Sequence, residues 1–135
     1  MATSLSLEDL PQAATPARAR AIEQGLPVKM LRVLMRTYEL GPAELSRMIA
    51  PRRTLERRLQ SNERLTAEES DRLARLMRVL DLAESIFDDR ASAVGWLSAP
   101  KRAFDEAAAF DLLKTEAGGR VVEDQLLRLK HGFFA

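Results

Sequence analysis

Nine consecutive residues concentrate the chemistry of this sequence: Arg52-Arg53-Thr54-Leu55-Glu56-Arg57-Arg58-Leu59-Gln60. Leu55 and Leu59 lie one helical turn apart and so share an inward face. That leaves Arg53, Thr54, Arg57 and Arg58 on exposed or flanking surfaces. Guanidinium forks on such a face bond phosphate oxygens, or the O6 and N7 of guanine in the major groove. Arg52 belongs to the same cluster. Arg47 and Arg64, on either side, suit backbone contacts that fix register without reading sequence. Glu56 sits among the arginines and repels phosphate unless it is paired within the helix. A helix with these arginines and two leucines is equally compatible with plain solvation, so spacing and charge leave DNA binding open.

Catalysis has fewer candidates. His131 is the sole histidine and there is no cysteine, so disulfides, thiol chemistry and a His/Cys metal site are excluded. No catalytic residue, metal ligand or cofactor is expected. Glu68-Glu69 and Asp88-Asp89 are adjacent pairs, which do not face each other on a helix, and they read as helix-start chemistry rather than acid/base couples. Gly118-Gly119 lacks the longer glycine pattern and Lys-Ser/Thr of a phosphate loop, and reads as a turn. Trp96 reads as core packing. His131 before Gly132 reads as a helix end, with a basic side chain against the negative pole. Phe133-Phe134-Ala135 is less usual, because exposed aromatics mark contacts and neighbouring helical residues point about 100° apart.

A 46% apolar composition supports a packed interior, and a 30% charged fraction of nearly balanced sign argues against wholesale disorder. The net charge of +1 hides an asymmetry. Residues 18–64 hold 11 Lys/Arg against 5 Asp/Glu, a local +6, whereas residues 65–135 carry a local −3. A basic half and a mildly acidic half point to two different partners, one polyanionic. No apolar run approaches the roughly 18–20 residues of a membrane span, and no secretion signal opens the chain. A cytoplasmic protein without membrane contact is expected.

The elements that position these residues read as all-α. Residues 1–24 form a flexible tail, with at most a short helical turn near 17–24. Pro27 opens a helix carrying Val28, Leu31, Met35 and Tyr38, which ends at Leu40-Gly41-Pro42. A second helix covers 42–49, burying Leu45, Met48 and Ile49, and a third covers 52–60. Two short helices joined by a tight turn within a four-helix unit fit a helix-turn-helix. Thr66 and Glu69 form a capping box for a long helix reaching about Phe87. Asp88-Asp89 caps a helix near 91–98, Pro100 closes it, and 99–109 is a connector. A short helix near 110–115 precedes a last one lined by Val122, Leu126, Leu129 and Phe133. The domains expected are the tail, a DNA-binding unit over 25–80 and a C-terminal unit over 81–135.

Longer stretches add a resemblance. Arg53-Thr54-Leu55-Glu56-Arg57-Arg58, then Leu65-Thr66-Ala67-Glu68-Glu69-Ser70-Asp71-Arg72-Leu73-Ala74-Arg75-Leu76, resembles the Xre-like helix-turn-helix of antitoxins in the Xre/MbcA/ParS group. Ala83-Glu84-Ser85-Ile86-Phe87, Ala93-Val94-Gly95-Trp96-Leu97, Leu112-Leu113-Lys114-Thr115-Glu116-Ala117-Gly118 and Leu126-Leu127-Arg128-Leu129-Lys130-His131-Gly132 are similar to the toxin-binding domain of that group. The resemblance implies a type II antitoxin that neutralises a RES-domain, NAD-consuming toxin by covering its active site. It also implies repression of its own operon through DNA. Arg128, Lys130, His131, Gly132, Phe133, Phe134 and Ala135 are then the toxin-binding candidates, with the chain's end at the toxin's NAD cleft. Where the group has a Gly/Pro-rich connector, this chain has Arg102-Ala103-Phe104-Asp105-Glu106-Ala107-Ala108-Ala109-Phe110, whose alanines favour extending a helix. A homodimer on paired half-sites and a larger complex with toxin are expected. Two rival readings remain: a stand-alone repressor whose C-terminal helices dimerise it, and a regulatory subunit with a vestigial helix-turn-helix.

Overall fold

Prolines and capping side chains decide where helices begin in the computed structural model, which describes residues 15–132. Thr15 accepts the N–H of Arg18 at 3.2 Å, and Pro16 occupies the first turn of α1, Pro16–Gln24. The expected tail is therefore a capped helix from Pro16 onward, longer than the short turn anticipated there. Gly25 follows with φ of +92°, and a Cβ there would stand 2.3 Å from the Leu65 carbonyl oxygen, so only glycine fits this close backbone approach. Leu65 N–H bonds the Leu26 carbonyl at 3.0 Å, and the Ser70 hydroxyl accepts Leu26 N–H at 2.8 Å.

Next come α2, Val28–Tyr38; α3, Pro42–Leu45; and α4, Arg52–Ser61. Glu39 and Asn62 end α2 and α4 in the left-handed region. α3 stops at Leu45 and residues 46–49 continue as turns, so the second helix is shorter than its expected 42–49 span. Met48 and Ile49 are nonetheless buried. An Arg72 guanidinium donor at 3.2 Å satisfies the Ile49 carbonyl that this early ending leaves without a helical partner. α4 packs on both α2 and α3. Leu31, Leu34, Leu45, Met48, Leu55 and Leu73 fill the interior of this first unit.

The chain divides into two compact units between Ala74 and Arg75, inside the long helix α5, Ala67–Phe87. The second unit contains α6, Arg90–Ser98, and α7, Glu116–Lys130, both packed on a 3-10 turn at Ala109–Leu112. Asp89 caps α6 by accepting Ser92 N–H at 2.8 Å. Leu76, Leu80, Ala83, Leu97, Phe110, Leu113, Val122 and Leu126 form the core of this unit. Among the described residues the one extended pairing is an isolated bridge between Pro100 and Ala108, and no strand forms.

Two expectations fail in this unit, both for reasons of packing. The alanine-rich connector does not extend a helix. Lys101 N–H bonds the Ala107 carbonyl at 3.0 Å, Arg102–Phe104 makes one 3-10 turn, and Asp105 and Glu106 are left-handed. Burial of Phe104, Ala108, Ala109 and Phe110 outweighs the few tenths of a kcal/mol per residue that separate helix propensities. Gly118-Gly119 is not a turn but the first turn of α7, capped by Thr115, whose hydroxyl accepts Gly118 N–H at 3.0 Å. A Cβ on Gly118 would stand 1.8 Å from the Leu112 carbonyl oxygen, and one on Gly119 would stand 2.8 Å from Arg75 Cδ. Glycine is there for proximity, not for bending.

Trp96 is half-buried, with its ring centroid 6.1 Å from that of Phe87 and 5.9 Å from that of Phe104 in a T-shaped contact. Lys101 Nζ lies 5.0 Å from the indole centroid. Burial lowers the Lys101 pKa.

Candidate nucleic-acid and partner interfaces

α4 starts after Pro51 and is held by Leu55, which is fully buried. At roughly 100° per residue, Arg53 and Arg57 point away from Leu55, and both are exposed. Arg53 engages no partner among the described residues. Arg57 Nε lies 3.8 Å from a Glu63 carboxylate oxygen, and Arg52 Nε bonds Glu56 at 2.8 Å. That last pair answers the difficulty raised by Glu56, since its charge is compensated within the helix. The pair is solvent-exposed and so contributes little to stability.

Arg58 departs from expectation. It is buried, not on a flanking surface, and all three of its guanidinium nitrogens bond acids inside the first unit. Nε donates to Glu69 Oε1 at 2.6 Å, Nη2 to Glu69 Oε2 at 3.1 Å, and Nη1 to Glu63 at 2.9 Å. The two-pronged pair matches the planar fork to the carboxylate. The hydrogen bond to Glu69 raises the Arg58 pKa against the opposing effect of burial. Burial alone would raise the Glu69 pKa, but the bonds from Arg58 and from Thr66 hold it below the ordinary value. Glu69 also accepts Thr66 N–H at 2.9 Å while donating its own N–H to the Thr66 hydroxyl at 3.1 Å. One carboxylate thus completes the capping box of α5 and anchors α4.

The remaining DNA-face candidates divide. Thr54 and Arg47 are half-buried, on the flank of α4 and in the turns before it. Arg64 Nη1 bonds the Gly25 carbonyl at 2.6 Å. The sequence reading overlooked Lys29, Arg32 and Arg36 on α2, a basic stripe at helical spacing. Arg32 bonds the Leu59 carbonyl and, at 2.9 Å, Asn62 Oδ1, which secures the end of α4. Spacing alone could have found the stripe, but not its role at the end of another helix.

In the second unit, Arg128, Lys130, His131 and Gly132 are exposed at the end of α7. Gly132, at φ of +75°, donates its N–H to the Leu129 carbonyl at 3.2 Å. Phe133, Phe134 and Ala135 lie outside the described residues. Val122 and Leu126 face the core, leaving Val121 and Leu127 as exposed apolar side chains, at 48% and 38% exposure, Val121 in the first half of α7 and Leu127 next to that basic end. At about 100° per residue both fall off the face lined by Val122, Leu126 and Leu129, so the spacing already sets them apart from the core positions. Arg75, itself buried, supports α7 by donating to the Leu113 carbonyl at 3.0 Å and to Glu116 at 3.3 Å, while Arg78 bonds Glu123 at 2.6 Å.

Residues 17–78 match the family model of the antitoxin Xre-like helix-turn-helix domain, and residues 82–132 that of the antitoxin Xre/MbcA/ParS C-terminal toxin-binding domain. A protein named Antitoxin Xre from Yersinia enterocolitica is 35% identical over 143 residues, spanning 93% of this chain and 97% of that protein. The chain belongs to the Xre antitoxin family. A Pseudomonas putida protein of the same name is 33% identical, over 95% of this chain and 80% of its own length. One from Photorhabdus laumondii is 29% identical over 90% and 84%. The helix-turn-helix match contains α4 with Arg53 and Arg57, and the toxin-binding match contains the exposed face of α7. Antitoxin and helix-turn-helix families are in general not enzymes. No described helix is long and apolar enough to cross a membrane.

Proposed function

We propose that this chain is the antitoxin of a type II pair, and that its toxin is a RES-domain protein that consumes NAD. The C-terminal unit binds the toxin and covers its active site; the helix-turn-helix unit binds the operator of the pair's own genes. One observation carries the reading: on α7, within the toxin-binding match, apolar Val121 and Leu127 are both exposed, turned away from Val122 and Leu126, and Arg128, Lys130 and His131 follow Leu127 at the helix end. Solvent-facing aliphatics set among charged side chains suit a protein interface, whose buried centre is apolar and whose edge is polar.

Inhibition needs no chemistry from the antitoxin itself. An occluding segment excludes NAD by occupying the cleft, so the antitoxin's contribution is binding energy and fit. In this proposal Arg128, Lys130 and His131 contact the rim and residues 133–135 enter the cleft. On DNA, Arg53 and Arg57 at the apex of α4 reach the major groove, with Arg52, Thr54, Arg47 and Arg64 at its margins. Arg58 has no part in that contact. A homodimer on paired half-sites, in the cytoplasm, completes the proposal.

Co-expression with a RES-domain toxin, which this reading expects the adjacent gene to encode, tests it. The antitoxin is expected to restore growth and cellular NAD. Persistent toxicity despite a soluble antitoxin, together with intact operator binding, favours the stand-alone repressor. A gel shift with and without toxin separates both from a subunit that never binds DNA.

A further inference from the structure

A concave groove of about 540 Å³ runs along α2 beside the α4–α5 turn, outside the α4 face that carries Arg53 and Arg57. Its rim holds four cations, Lys29, Arg32, Arg36 and Arg64, over an apolar floor that includes Val28 and Val33, and no acidic residue lines it. Past Arg32 and Arg36 it meets a second depression of about 630 Å³ that reaches Met35 and Leu59 and has one acid, Glu39, at its edge. Arg36 engages no partner among the described residues. Arg32 and Arg64 already hold the carbonyls of Leu59 and Gly25, so their guanidinium edges are partly spent. That leaves the groove better suited to a peptide whose apolar side chains fill the floor than to a phosphate chain.

Residues 1–14, outside the described residues, read MATSLSLEDLPQAA, with Glu8 and Asp9 set between Leu7 and Leu10 and without any Lys or Arg. We propose that this groove binds the chain's own acidic, leucine-bearing segment, residues 5–10, with Glu8 and Asp9 at the cationic rim and leucines on the Val28–Val33 floor. The five steps from Thr15 back to Leu10 span at most about 17 Å when extended, against about 14 Å for the nine residues of α1, so the segment reaches the groove at Pro27 by running back along α1. Opposite charges at the rim draw it there, and salt weakens the attraction. Docked, the segment lies against Arg32, which bonds the Leu59 carbonyl and Asn62, so it braces the end of α4. The inference does not depend on the toxin or on DNA binding.

The chain has no cysteine, so Ser4→Cys in the full-length protein takes a single nitroxide label. The label is expected to broaden the amide signals of Val28, Val33 and Arg36 selectively. Adding Glu8→Lys and Asp9→Lys, or Arg36→Glu alone, should restore the lost intensity, and high salt should restore part of it. Uniform or absent broadening, or broadening unaffected by charge reversal, overturns the proposal. So does broadening seen only when labelled and unlabelled chains are mixed, which assigns the groove to a second copy. A DNA duplex that shifts the groove amides while leaving those of α4 unchanged would likewise overturn it, in favour of nucleic acid.

Discussion

Arg58 and Arg57 are neighbours of identical type with opposite fates, and the difference is one of angle. Arg57 points to solvent and can be removed at little cost to the fold, since substitutions at such surface sites lie within about 0.5 kcal/mol. Arg58 is buried against Glu69, so Arg58→Ala strands a buried carboxylate and is expected to destabilise the protein by about 3–5 kcal/mol. Chemical denaturation compares the two, and equal midpoints would refute the distinction. Arg53→Ala with Arg57→Ala should leave that midpoint in place yet reduce the salt slope of operator binding by about 2, one unit per lost phosphate contact. An unchanged slope in a gel shift removes α4 from the DNA face. The Glu69 pKa is lowered in the folded state, so its contribution to stability is present above the ordinary Glu value of about 4.3. It is lost as pH falls through that value and then through the depressed folded one. Glu69→Gln should flatten this acid limb, which melting curves across the acid range would reveal.

At the scale of elements, the glycines of α7 make the sharpest prediction. Propensity favours alanine over glycine inside a helix by about 1 kcal/mol. Contact opposes it, because a Cβ on Gly118 would overlap the Leu112 carbonyl, and overpacking of this kind costs about 1–3 kcal/mol or more. Gly118→Ala is therefore expected to destabilise, while Gly95→Ala, on α6 with open space around it, should stabilise slightly. Thermal melts of both variants check the sign. Gly118 and Gly119 together mark a limit of sequence reasoning. A pair of glycines reads as a turn because conformational freedom is visible in one sequence and tight interelement contact is not. Capping chemistry, by contrast, is local, so Thr66 with Glu69 and Asp89 before α6 were legible in advance. The connector shows the other side of this: its alanines favour helix, but Phe104 and Phe110 find burial only if the chain closes on itself. Arg58 was misplaced for a related reason, since its acidic partner lies eleven residues away in the next helix.

Over the whole molecule, the charge asymmetry legible in the sequence corresponds to two family matches covering 17–78 and 82–132. Each has its own exposed surface, Arg53 and Arg57 on α4 and Val121 and Leu127 on α7. The helical class, the site-bearing helices and the lining face of α7 followed from periodicity, which leaves Val121 and Leu127 off that face; how exposed they are, 48% and 38%, did not. Two variants separate the proposed tasks. Val121→Asp with Leu127→Asp should abolish toxin binding while preserving operator binding, and the α4 double variant should do the reverse. Deletion of 133–135 should release toxicity without unfolding the protein, which the fluorescence of its single tryptophan, Trp96 beside Phe87 and Phe104, would report. The most direct test of the central claim is cellular NAD during co-expression with the proposed RES-domain toxin. The account predicts that the intact chain holds NAD at its uninduced level and that the Val121→Asp, Leu127→Asp variant lets it collapse. Equal NAD levels with the two proteins, both folded and equally abundant, would contradict it.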